Sequence, residues 1–165
     1  PKADERRQLL ESFRGYLTGK GDTGDYTQFE QDWLVLGLLQ DPERARKHAD
    51  EAGVYFRGFK EAYQRNLGPI CDFLAGHTDD PEQLVRRCSH SKRVLVTALF
   101  AIAVDALAAG DRPKALRYFR ECVDQGVFQF YVHQWSLALI DKLERKPNWP
   151  SWVPEVSEQP HNSYE

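Results

Sequence analysis

The sequence predicts an all-α fold, a stack of antiparallel helix pairs closed by a proline- and tryptophan-rich capping segment. Three observations predict it. Apolar residues recur at three- and four-residue spacings along most of the chain, the period of a helix with one buried stripe. Helix starts and stops are punctuated by aspartate–proline pairs and by glycines. Period-two alternation is missing: its nearest candidate, Tyr131 to Trp135, lies inside a helical stripe of Phe128, Val132, Trp135 and Leu139.

The elements follow in order. Residues 4–18 place Leu9, Leu10, Phe13 and Leu17 on one stripe, and Gly19 to Gly24 then break the chain. A second helix is predicted over 26–40, with Phe29, Trp33, Leu36 and Leu38 or Leu39 inward. Asp41-Pro42, Asp80-Pro81 and Asp111-Arg112-Pro113 each offer a carboxylate to cap free N–H groups and a proline where its missing donor costs nothing. Gln83, following Asp80, suits a capping box. Gly53, Gly76, Gly110 and Gly126 sit where left-handed C-terminal caps are wanted. These signals predict further helices over 42–52, 54–75, 81–88, 91–109, 112–125 and 129–145, with a kink at Gly68-Pro69. The stretch Lys146 to Pro154 carries three prolines and two tryptophans. It cannot be helical and is expected to pack back over the last helix. The organisation is therefore one helical domain over 1–154 and a polar tail over 155–165.

Composition narrows the class of function. The 165 residues suffice to bury a core without disulfide or metal staples. Hydrophobic residues are 41% and charged residues 28%, which excludes wholesale disorder. Net charge is −3; residues 1–90 hold 13 basic and 16 acidic side chains and the rest hold 9 of each, so neither part is a nucleic-acid-binding module. Cys71, Cys88 and Cys122 are too few and scattered for a disulfide framework. They read as buried thiols of a reducing compartment, the cytoplasm, although an exported and processed form would look the same. The chain starts at Pro1 and has no methionine, which predicts a processed protein or a piece of a longer one. The longest apolar run, Val94 to Ala109, is short for a bilayer span and contains Asp105.

The helix pairs also carry a repeat. Leu99, Ile102, Ala103, Ala115, Phe119 and Cys122 have the size order large, large, small, small, aromatic, small; the small residues let paired helices approach and Phe119 fills the space above. Over residues 96–129 the chain resembles the tetratricopeptide (TPR) family. Trp33-x-x-Leu36-Gly37, with Ala49 at the next small position, is a partial match over residues 30–53. The unit between fits at Leu67, Ile70 and Cys71 but has Gln83 where a small residue belongs. The stretch from Gly110 to Trp152 also resembles the ends of bacterial repeat proteins. The TPR resemblance implies a right-handed superhelix with a concave groove for a protein or peptide partner. It places Thr97, Phe100, Val104 and Leu107, with Ala108, on that groove. These are mostly apolar, and the lysine–asparagine carboxylate clamp of the chaperone-binding members is absent. The groove is thus either filled by the chain itself or open to an apolar partner segment.

Other chemistry is sparse. Arg86, Arg87, His90, Lys92 and Arg93 form the one dense basic cluster. It could grip a phosphate or an acidic peptide, or it could be a helix end followed by a solvated loop. Cys71, His77, Cys88 and His90 have metal-ligating atoms but no zinc spacing, so no metal and no cofactor is expected. Gly15-x-x-x-Gly19-Lys20-Gly21 lacks the hydroxyl residue after lysine and follows a helix, which disqualifies it as a phosphate loop. No nucleophile elbow or paired-histidine motif is present, so the expectation is a non-catalytic interaction or assembly module. The alternatives are a self-associating structural domain, an anion- or phosphate-binding regulatory domain using the basic cluster, and an enzyme of unfamiliar type gathering His77, His90 or His133 with a carboxylate.

Overall fold

The computed structural model describes residues 37–38, 41–58, 60 and 66–153. Within them the chain is all-helical, without strands: α1 (Pro42–Arg57), α2 (Gly68–Leu74), α3 (Pro81–Cys88), α4 (Lys92–Ala108), α5 (Arg112–Asp124) and α6 (Tyr131–Arg145). The predicted helix over 4–18 and the tail over 155–165 lie outside the described residues, as does the 26–40 helix apart from Gly37 and Leu38.

The aspartate caps form as the sequence predicts. Asp41 accepts from the Arg44 N–H at 3.1 Å, Asp80 from the Gln83 N–H at 3.0 Å and Asp111 from the Lys114 N–H at 3.0 Å. Each satisfies a donor that a helix start otherwise leaves unpaired. At the other ends, Gly76, Gly110 and Gly126 have positive φ. After α4, Gly110 donates to the Leu107 carbonyl and Asp111 to that of Ala106, the paired bonds of a Schellman cap.

Gly53 departs from expectation. It lies inside α1, which runs unbroken through it to Arg57. A Cβ at Gly53 would come within 3.1 Å of the Cys71 Cβ, so the glycine serves close approach of α1 to α2. The predicted 54–75 helix is likewise not continuous. Its first residues close α1, Gly58 caps that helix, and α2 begins only at Gly68 with Pro69 in its first turn, where proline starts a helix rather than kinking one.

Packing is built around α4. Only three residues link α4 to α5, and the two helices lie against each other, so they run antiparallel. The next helix, α6, packs on both. Ala103 and Ala115 are fully buried, as is Ala49 on α1, and Gly37 approaches Ala108 so closely that an added Cβ would lie 3.2 Å from the Ala108 Cβ. Small residues thus sit where helices meet. Above them Phe119 is fully buried, with its ring centroid 5.8 Å from that of Phe100, which lies 5.7 Å from Trp135 of α6. Each such side chain contributes roughly 1.5–3 kcal/mol on burial. Twelve of the 17 residues of α4 are buried, which explains its apolar run without recourse to a membrane. Among the described residues no helix is long and apolar enough to cross a membrane. Burial pushes the carboxyl of Asp105 on α4 above the ordinary 3.8, against the opposing pull of the Arg46 and Lys114 charges.

Candidate functional site

The positions that the TPR resemblance assigns to a groove are occupied from within. Thr97, Phe100, Val104 and Leu107 are all buried. Phe100 lies between Phe119 and Trp135, and the Thr97 hydroxyl donates to the Arg93 carbonyl at 3.1 Å. All four side chains thus lie in the interior of the described residues. At Phe100 the cover includes Trp135 of α6, which in turn packs on Tyr131 with centroids 4.9 Å apart.

The basic cluster lies outside. α3 buries Leu84 and Cys88, so Arg86 and Arg87 in its last turn are exposed, where cations also complement the negative helix end. The chain reverses through Ser89 to Ser91, and α4 opens with exposed Lys92 and Arg93. Three carbonyls at the end of α3 are used inside this turn. The Ser89 hydroxyl donates to the Arg86 carbonyl at 2.8 Å and the Ser91 N–H to that of Cys88 at 3.3 Å. The His90 Nδ1 lies 2.9 Å from the Arg87 carbonyl, and its Nε2 lies 2.9 Å from the Asn66 Nδ2. With the Asn66 amide donating to Nε2, Nδ1 carries the proton and donates to Arg87. Both ring nitrogens are thereby engaged within the chain, and His90 pins the turn. Arg86 is drawn back to Asp80, with N···O 3.7 Å. Arg87, Lys92 and Arg93 are the members of the cluster whose side chains have no hydrogen-bond or ion-pair partner among the described residues.

α4 differs from the aspartate-capped helices. Ser91 makes no side-chain cap bond, and no acidic residue stands in the first turn. Cations at a helix N-terminus oppose the macrodipole. The chain keeps Lys92 and Arg93 there nonetheless.

The C-terminal segment occupies a built seat. Trp149, Trp152 and Val153 are buried, and so is Arg112 at the start of α5. The Arg112 guanidinium donates to the carbonyls of Trp149 at 3.3 Å, Pro150 at 3.1 Å and Val153 at 2.9 Å. The Trp152 indole N–H donates to the Leu38 carbonyl. Lys142 of α6 lies over the Trp149 ring, 5.5 Å from its centroid. The segment caps α6 as expected, but it also ties α5 to residue 38. Its anchor, Arg112, was legible only as part of a helix start.

The remaining candidates are dispersed. His77 is exposed, 3.6 Å from Asp50 and 3.8 Å from Asp72, and Asp72 pairs with Arg57 at 2.6 Å. His133 is buried on α6, its ring edge-on to Phe128 with centroids 5.0 Å apart. Among the described residues no group of three or more histidines, cysteines or carboxylates is placed to hold a metal ion. The chain matches no family model, no curated protein and no solved structure.

Cys71, Cys88 and Cys122 are all free and buried. Burial pushes the Cys88 thiol from 9.0 up to about 11, against the pull of Arg87. The folded chain thus holds this proton more tightly than the unfolded one. The resulting stability is complete below about pH 9 and is lost as pH rises toward about 11. Denaturant midpoints across that window should fall less in Cys88→Ala than in the parent; parallel profiles would contradict it.

Proposed function

We propose that this chain is a non-catalytic protein-interaction or assembly module, a TPR-like superhelix that works through its outer surface. The observation that carries this reading is the filled interior. Where α4, α5 and α6 meet, Ala103 and Ala115 nest the helices, and Phe100, Phe119 and Trp135 close the space between them. A stack so packed presents a stiff surface with side chains in fixed positions, which suits binding more than the enclosure of a small substrate.

Self-association is the second reading, favoured by exposed apolar side chains. Phe128, just before α6, is 70% exposed, and Leu137 on α6 is 43% exposed. Solenoid ends that are not fully covered tend to pair. The two readings separate in one design. The purified chain is sedimented over a rising concentration series, and the tagged chain is used for affinity capture from a lysate of its source cells. A monomer that retains a stoichiometric protein partner supports the module reading. A concentration-dependent dimer with no other partner supports self-association. Neither partner nor dimer would defeat both.

A further inference from the structure

We propose that the turn between α3 and α4 is a docking surface for a short acidic segment of a partner protein, gripped by Arg87, Lys92 and Arg93. The inference rests on the interaction-module reading and names the partner's chemistry. Elsewhere the arginines of the helices are largely answered from within: Arg57 by Asp72 at 2.6 Å, Arg120 by Glu144 at 2.8 Å and Arg145 by Asp141 at 2.8 Å. At the turn the pattern fails. Arg87, Lys92 and Arg93 are exposed, and their side chains have no carboxylate, carbonyl or ring partner among the described residues. Three like charges on the two limbs of one reverse turn repel each other, and an anionic partner relieves that.

The turn is also prepared to be cationic. The carbonyls of Arg86, Arg87 and Cys88 all accept bonds from within it, so their negative ends are occupied. His90 fastens the loop to Asn66, which holds the cations on a fixed frame before any partner arrives. The side-chain charges are the ground for the inference; the uncapped start of α4 only adds to the same potential.

The size of the patch selects among anions. Exposed Asp79, Asp80 and Glu82 stand at the far end of α3, an eight-residue helix about 12 Å long. A nucleic acid, with a phosphate charge every few ångströms, would run from the cations onto these carboxylates. The whole chain, at net charge −3, would repel it as well. Two or three neighbouring carboxylates on a protein segment match the three cations and stop short of the acidic end.

The test is fluorescence anisotropy with a labelled short peptide carrying three consecutive glutamates, set against the same peptide with glutamines and a single-stranded oligonucleotide of similar length. The proteins are the parent chain, R87E/K92E/R93E, and R44E/K60E/K146E, which makes the same change in net charge at other exposed cations. The parent should bind the glutamate peptide about tenfold more tightly than the glutamine peptide at low salt, three exposed charge pairs being worth that much together. The turn variant should lose the preference with an unchanged or higher Tm, and the control variant should keep it. Equal binding of the two peptides, no binding, preference for the oligonucleotide, or an unaffected turn variant would each overturn the proposal. If the turn variant still captures the parent's lysate partner, the docking site is wrong while the module reading stands; a parent that captures nothing defeats the module reading itself.

Discussion

Phe119→Ala is expected to destabilise the fold by about 3–5 kcal/mol, the range for removing a large aromatic from a close-packed core. Phe119 is fully buried and its ring faces Phe100, itself packed on Trp135. The truncation would leave a void between α5, α4 and α6, and Ala103 and Ala115, already fully buried and without side-chain atoms beyond Cβ, could not fill it. Domains of this size have about 5–15 kcal/mol in all, so the loss is a large share. Urea unfolding followed by circular dichroism measures it. A change below about 1 kcal/mol would mean that the three helices do not meet as described.

The second large effect is expected at Arg112. Arg112→Ala removes the fork that holds the carbonyls of Trp149, Pro150 and Val153. Buried acceptors left without donors cost about 1–3 kcal/mol each, and the segment can recover part of that only by lifting into water. The outcome is a loss of about 2–4 kcal/mol together with exposure of Trp149 and Trp152, which are buried in the parent. Tryptophan emission should shift to the red and acrylamide quenching should rise before the helices melt. Arg112→Lys should fall between, since an ammonium cannot reproduce the planar fork. Emission and quenching identical to the parent in Arg112→Ala would contradict the seat.

How much of this was legible beforehand follows from how far each signal reaches. The caps at Asp41, Asp80 and Asp111 were legible because a cap is settled within a few residues of chain. Gly76, Gly110 and Gly126 were legible for the same reason. Gly53 was misread because its role is set by Cys71, on another helix. Arg112 and its seat were invisible because the carbonyls it holds lie 37 to 41 residues away. The resemblance named Thr97, Phe100, Val104 and Leu107 without saying that they are buried, and for Phe100 the cover includes Phe119 and Trp135 of the neighbouring helices. The basic cluster was visible as charge. Only the bonds within the turn separate His90, which fastens it, from Arg87, Lys92 and Arg93, which are left over.

The central claim is that the interior is closed and the binding surface lies outside, at the α3–α4 turn. Hydrogen exchange of the parent chain, alone and with the glutamate peptide bound, addresses it directly. Amides of residues 87–93 should gain protection while those of 97–107, at the centre of α4, exchange equally slowly in both states. Faster exchange or altered protection within 97–107, or none gained at 87–93, would contradict it.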